Sequence, residues 1–384
     1  MNNIYELNER LLVPHDCYII LTSKCNMRCR HCYGQYGANI PPRELSGLEW
    51  EAVFSDLEKN GVFFINISGG EPTLHPDFIS IIQSLVQHEI YFILTTNGVF
   101  NSKILNTIIS AKNYLVGLKI SLDGPDYLSH GFLRRDTTGN INTTFFRKTF
   151  ENIEHLQKAQ IPFSIATCIH KKNINQFEEL LDIIIKIKPV SWFISAISID
   201  GRSKDNLDIF ASDTDVDMHV WKKIYKTCSE NNIYVKFIDM PNVTRKQEND
   251  KFVYTCPAAK LFCEIYSDGQ VSPCPLSRLN IPSYIISFEN IKNKSIKDIW
   301  RGEAFTRFLE LSNDGCEGCT LKSRCGRCIP QSFAWFNDHK MPAPYCITRG
   351  ERLGLKNLKE LKKQLYENAL RLERFNYIEG NSND

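Results

Sequence analysis

The chain has 384 residues, of which 42% are hydrophobic and 23% charged, and its formal net charge is +2. That length suits one large core with a smaller module, and no apolar run approaches the roughly 20 residues of a membrane span. The near-neutral charge, without a block of Lys and Arg, argues against nucleic acid. The polar start Met1–Arg10 lacks the basic and apolar stretches of a secretory signal. A cytoplasmic protein is therefore expected, with no membrane and no nucleic-acid partner, and its fourteen cysteines point to metal ligation rather than disulfides.

From residue 16 to about 235, short apolar β-branched runs alternate with stretches of helical period. Strands are expected at Cys17–Thr22, Phe63–Ser68, Tyr91–Thr95, Val116–Leu122, Phe163–Ile169 and Trp192–Ile197. Helices are expected at Glu49–Asn60, Asp77–His88, Lys103–Lys112, Phe145–Ala159 and Asn175–Ile187, where apolar residues recur at three- and four-residue steps. This is an α/β rhythm of repeated βα units, closing into a barrel or staying open. Either form collects its sites at the carboxyl ends of strands. Residues 236–255 turn polar and read as a linker. Residues 256–350 hold eight cysteines and little apolar pattern, so metal is expected to supplement their core. An amphipathic helix and a tail close the chain over residues 351–384.

Cys25, Cys29 and Cys32 form a Cys-x3-Cys-x2-Cys run in the loop after the first strand. Three thiolates on one short loop hold three irons of a [4Fe-4S] cluster and leave the fourth open. A zinc knuckle closed by His31 is the alternative reading. Gly69-Gly70-Glu71-Pro72 follows the second strand, and its double glycine lets backbone approach a ligand closely. Ser121-Leu122-Asp123-Gly124 ends the fourth strand.

The segment Cys-Asn-Met-Arg-Cys-Arg-His-Cys-Tyr, ending at Tyr33, resembles the signature of the radical S-adenosylmethionine superfamily. The two later segments resemble that family's GGEP and SLDG motifs. The resemblance implies a partial (β/α)6 TIM-like barrel over residues 1–235, in which S-adenosylmethionine chelates the open iron and yields a 5′-deoxyadenosyl radical. It implies cofactor contacts from Gly69, Gly70, Glu71, Pro72, Asn97, Ser121 and Asp123, with Thr95 and Thr96 nearby. A cofactor carboxylate calls for an arginine fork; of Arg134, Arg135 and Arg147, the expectation is Arg135. The alternative for each is a solvated surface charge.

Downstream, Cys256, Cys263 and Cys274 precede Cys316, Cys319, Cys325 and Cys328, and Cys346 ends the set. This C-terminal cysteine-rich iron-sulfur module resembles the SPASM extension, and structural zinc in a ribbon-like module is the alternative. The resemblance implies two auxiliary [4Fe-4S] clusters, one on Cys256, Cys263, Cys274 and Cys328, the other on Cys316, Cys319, Cys325 and Cys346. With the radical-initiating cluster the total is three. Two departures from the pattern are the x2 spacing between Cys325 and Cys328 and a Cys263 that the extension does not always carry. The layout is similar to anaerobic sulfatase-maturating enzymes, yet Pro275 stands where those carry an aspartate base.

Many members of the family it resembles that carry this extension modify ribosomally made peptides or protein side chains, so the resemblance implies the substrate class. The expected function is hydrogen abstraction from a peptide or protein, leading to oxidation, crosslinking or epimerisation, with a low-potential electron donor such as flavodoxin or ferredoxin. The short entry before the first strand sets against a dedicated leader-docking domain. A small-molecule dehydrogenase and an iron-sulfur electron carrier are the alternatives. Cys168, on the fifth strand, points by alternation into the barrel, where it is either a hydrogen donor or, like Cys17 and Cys228, a buried thiol packing as a small hydrophobe. His130 and His170 are candidate proton acceptors.

Overall fold

The computed structural model describes residues 11–38, 40–198, 200–211, 218–238, 256–313, 319, 328–343, 346–347 and 356–371. The chain divides into two compact units, one of residues 19–54 and 65–250, the other of residues 1–18, 55–64 and 251–384.

The first unit is built on strands β1 (Asp16–Ile20), β2 (Phe64–Ser68), β3 (Tyr91–Thr96), β4 (Leu115–Ser121), β5 (Phe163–Cys168), β6 (Ser191–Ser195) and β7 (Tyr234–Ile238). Between them lie α1 (Gly47–Lys59), α2 (Phe78–Gln87), α3 (Ser102–Ser110), α4 (Tyr127–Leu133), α5 (Thr143–Lys158), α6 (Phe177–Ile187) and α7 (Met218–Glu230). The strands run β7-β6-β5-β4-β3-β2-β1 without reversal, and β3 to β7 pair in parallel. Right-handed crossovers between sequential neighbours put every helix on the same face of the sheet. The other face then lines the lumen of a partial TIM-like barrel.

Burial alternates accordingly. In β2, Ile65 and Ile67 are buried while Phe64, Asn66 and Ser68 are half-buried. On the helix side, Trp192 of β6 stacks on Phe177 of α6 with ring centroids 6.1 Å apart, and Phe237 of β7 meets Trp221 of α7 at 5.2 Å. Local caps fix where helices begin: Asn101 accepts from Ile104 N, Asp126 from Leu128 N and Ser129 N, and Asn142 from Thr144 N and Phe145 N. Lys188, at φ +47°, ends α6 in a left-handed residue.

The six expected strands and five expected helices are present, each within two residues of its expected ends. A seventh strand was not expected. β7 runs to Ile238, so residues 236–238 complete the sheet instead of opening a linker, and the rest of the expected linker lies outside the described residues.

The second unit contains the antiparallel pair β8 (Phe262–Ile265) and β9 (Val271–Ser272), with Glu264 opposite Ser272. The start of β1 belongs here: His15 N–H donates to Leu261 O (2.7 Å), and the Tyr18 ring lies 4.9 Å from Phe262. Helices α8 (Pro275–Asn280), α9 (Ile296–Arg301), α10 (Glu303–Asn313), α11 (Ile329–Phe336) and α12 (Leu358–Arg371) follow. The unit does have an apolar core, around Ile265, Val271, Ile299, Trp300 and Phe305. Distant segments complete it, as Trp300 Nε1 donates to Leu11 O (2.8 Å) and Ile296 N–H to Asp56 Oδ2 (2.7 Å). Within the expected closing stretch Leu358–Arg371 is helical, and residues 348–355 and 372–384 lie outside the described residues. No helix among the described residues is long and apolar enough to cross a membrane.

Candidate functional site

The cysteine loop leaves β1 and is gripped at once. Glu44 accepts from Ser23 N–H and from Thr22 Oγ1 (2.7 Å). The glycine loop after β2 lies against it, with Gly70 N–H donating to Thr22 O and Glu71 N–H to Lys24 O, both at 2.8 Å. A Cβ on Gly70 would stand 2.2 Å from Lys24 O, and Gly69 sits at φ +141° with Thr22 O 2.5 Å from where a Cβ would be. The double glycine is thus required by the approach of one loop to the other, a reason distinct from the expected approach to a ligand.

Glu71 ties in the third loop. Its buried carboxylate accepts from Thr73 Oγ1 (2.7 Å), Thr73 N–H (3.3 Å), Thr96 Oγ1 (2.8 Å) and Asn97 N–H (2.8 Å). Burial raises its pKa while those bonds oppose the rise. With four donors already on it, the carboxylate shapes the loops. Pro72 opens a short 3-10 turn behind it. The Asn97 side chain crosses to Asn26 Oδ1 (2.7 Å), inside the cysteine loop.

The fourth loop centres on Asp123, which is fully buried. Its Oδ2 accepts from Arg134 Nε (2.6 Å) and its Oδ1 from Cys168 N–H (2.8 Å). Burial works to raise this carboxyl, but Arg134 outweighs it and holds the group down to about 2. The Asp123 carbonyl meets His170 Nε2 (2.9 Å) and Asn173 Nδ2 (2.8 Å), and its N–H donates to His130 Nδ1 (3.2 Å). Arg134 is committed to Asp123. Among the described residues the Arg135 guanidinium donates through its Nε alone, to Phe132 O (3.3 Å), which leaves its terminal nitrogens for an anion.

The loop after β6 closes the far side. Arg202 donates from its Nε to Cys29 O (2.9 Å), from its Nη1 to Tyr36 O (3.0 Å) and from its backbone to Cys32 O (3.0 Å). Gly201, at φ +58°, permits this, because a Cβ there would meet Tyr33 O at 2.1 Å.

Burial acts on two thiols of the cysteine loop. Burial pushes the Cys25 thiol well up, and Cys29 and Cys32 add to the rise. Burial carries Cys29 to about 11, against the pull of Arg134 and Arg202. Ligation by iron would replace those protons with negative charge that the two guanidinium groups are placed to balance, so the loop fits an iron-sulfur cluster. Among the described residues no set of three His, Cys, Asp or Glu converges on one metal ion. A cluster makes a different demand, since each thiolate binds a separate iron. His31, the expected alternative ligand, is held neutral by burial at about 3, and its Nδ1 has no hydrogen-bond partner.

Cys168 and Ser195 face each other at the ends of β5 and β6, with Sγ and Oγ 3.6 Å apart. Burial, then the Asp123 charge, pushes this thiol to about 12. In the second unit, Cys263 is fully buried with its Sγ 3.5 Å from that of Cys17, which the sequence reading set apart from the clusters. Burial, then the Cys256 charge, raises Cys274 to about 12. Cys274 and Cys328 immediately precede α8 and α11, two helices that pack together. Cys319 and Cys346 are half-buried, and Cys316 and Cys325 lie outside the described residues. Ser121 is buried at the end of β4. The sequence reading missed Asn26, Glu44 and Arg202, whose roles depend on partners distant in the chain.

Residues 19–184 match the model of the radical SAM superfamily, and residues 256–328 match that of SPASM, an iron-sulfur cluster-binding domain. Among curated relatives, the AdoMet-dependent heme synthase of Methanosarcina barkeri is 26% identical, over 86% of this chain and 95% of its own length. The PqqA peptide cyclase of Rhizobium meliloti is 24% identical over 88% of each. Among solved structures, Streptococcus suis SuiB bound to precursor peptide SuiA superposes with a TM-score of 0.66 at 19% identity, covering 84% of this chain and 73% of SuiB. The enzyme anSMEcpe with bound AdoMet and a peptide gives 0.65 at 17% identity, covering 94% and 99%.

Two outcomes follow from this geometry. Gly70→Ala forces Cβ against Lys24 O, so it should lower the melting temperature and reduce iron bound at the first loop while leaving the distant cysteines loaded; iron analysis and a thermal melt read both. His130 is kept neutral at about 4 by burial. An unfolded histidine binds its proton near 6.5, so between these values only the unfolded state is protonated and stability falls as pH drops. His130 should account for about 2 kcal/mol of the loss from pH 7 to pH 5, so His130→Asn, which keeps an acceptor for Asp123 N–H, should reduce the slope by that share in urea titrations while buried His31 keeps its own.

Proposed function

The chain is a SPASM-bearing member of the radical S-adenosylmethionine superfamily, and from that premise we propose that it modifies a peptide, through oxidation, crosslinking or epimerisation. The observation that carries the peptide reading is the likeness, over 88% of both chains, to a peptide cyclase. The fold it shares with SuiB and anSMEcpe, both solved with peptides, supports the same substrate class.

The chain is an enzyme that uses S-adenosylmethionine and iron-sulfur clusters. When bound, these supply a 5′-deoxyadenosyl radical that abstracts a substrate hydrogen atom. We assign Cys25, Cys29 and Cys32 to the radical-initiating cluster. Cys256, Cys263, Cys274 and Cys328 would hold one auxiliary [4Fe-4S] cluster, and Cys316, Cys319, Cys325 and Cys346 the other, making three. Gly69, Gly70, Asn97 and Ser121 would line the cofactor, with Arg135 on its carboxylate. Glu71 and Asp123, whose carboxylates are satisfied by this chain's own donors, act as positioning residues. A flavodoxin or ferredoxin would deliver the electron.

The protein's own contribution is to hold reacting groups in register. Arg202 and the glycine loop fix the cysteine loop, and Arg134 neutralises charge beside it. The Cys168 thiol keeps its proton at neutral pH, so its S–H is available as a hydrogen-atom donor. The likeness to a heme synthase favours a second reading, oxidation of a small molecule.

Anaerobic reconstitution with S-adenosylmethionine and reductant should give ~12 irons per chain and release 5′-deoxyadenosine. The Cys25→Ala/Cys29→Ala/Cys32→Ala variant should keep ~8 irons and release none; equal release by both proteins would refute the assignment. Turnover of candidate peptides in deuterated water separates the outcomes. Deuterium on an inverted α-carbon, lost in Cys168→Ala, marks epimerisation with that thiol as donor. Persistence of inversion and label in the variant rejects the role for Cys168.

A further inference from the structure

The lumen face of the barrel carries two lysines for which no ion-pair partner occurs among the described residues. On β6 and β7, Trp192 and Phe237 pack against helices, so their strand neighbours Phe193 and Lys236 face the lumen. These two are register partners. Lys119 of β4 joins them, its Nζ 4.5 Å from the centre of the Phe193 ring. The same face carries Cys168 and Ser195 at the strand ends, two residues beyond Phe193 on β6.

Lys119 is half-buried, and its pKa is lowered by burial and then by the charge of Lys236. Among the described residues neither lysine has a carboxylate within ion-pair distance. Lys236 is exposed on β7 while Lys119 is half-buried on β4, and like charges flanking one ring on the same face repel each other. The Phe193 ring offsets part of that for Lys119, while an anion between the lysines would offset it for both. Lysines also suit a carboxylate that arrives in varied orientations, because each is a flexible point charge.

We infer that Lys119, Phe193 and Lys236 form a substrate subsite for a carboxylate, set deeper in the lumen than Cys168 and Ser195. The inference rests on the radical-enzyme reading and adds to it a substrate class: a peptide presenting an acidic side chain or a free carboxyl terminus.

The test is calorimetric titration of the reconstituted, S-adenosylmethionine-loaded enzyme with two probe pairs. One pair is a glycine-rich hexapeptide carrying two glutamates and its glutamine counterpart; the other is glutarate and glutaramide. The acid should bind at least about tenfold more tightly than its amide. Lys119→Gln/Lys236→Gln should abolish that preference, and Lys119→Arg/Lys236→Arg should retain most of it, with iron content and circular dichroism reporting folding. A lysine-dependent preference in the glutarate pair alone upholds the subsite and counts against the peptide reading. No acid preference in either pair, or one that survives the double glutamine variant, overturns the proposal.

Discussion

The site depends first on one backbone contact, the docking of Gly69–Glu71 against Thr22–Lys24. Two loops from neighbouring strands run so close that any side chain at Gly70 would enter the carbonyl of Lys24. From this contact the order spreads outward. Glu71 is held where its carboxylate reaches Thr96 and Asn97 on the third loop, and Asn97 reaches back to Asn26 between Cys25 and Cys29. Three loops become one hydrogen-bonded object, which is what a loop of cysteines needs if its thiolates are to keep a fixed spacing before metal arrives.

Charge organises the second layer. A buried carboxylate costs several kcal/mol unless paired and hydrogen-bonded, and Asp123 is both. Its partner Arg134 also acts on Cys29, so one guanidinium serves a structural carboxylate and a thiol of the cysteine loop together. Arg202 approaches the same loop from the opposite side through backbone carbonyls. Two guanidinium groups therefore lie beside the cysteine loop, while the helix-facing side of the sheet is apolar. Lys119 and Lys236 do not belong to that arrangement, because they stand on β4 and β7 away from the cysteine loop, flanking Phe193.

Much of this was legible in sequence because local patterns encode it. The βα rhythm gave the six units, and the motifs placed their loops at strand ends where barrels carry their chemistry. β7 escaped because Tyr234-Val235-Lys236-Phe237-Ile238 precedes a polar stretch and exposes alternate residues. The C-terminal helices escaped because several are only six to eight residues long and begin at Pro275 or just before Pro330, where composition suggests turns. Arg202, Glu44 and Cys17 carry no local signal, since the partner that gives each its role lies between 21 and 246 residues away. Arg134 and Arg135 are adjacent, so only the fold separates the committed guanidinium from the available one.

Pro275 bears on how the reaction ends. It occupies the first position of α8, directly after Cys274, where a missing N–H costs nothing and the fixed φ suits the helix. Nothing at that position titrates, so Pro275 supplies no proton-abstracting base. Cys168, by contrast, lies on the other unit's lumen face and is held protonated by burial and by Asp123. A protonated thiol is a poor base and a good source of a hydrogen atom.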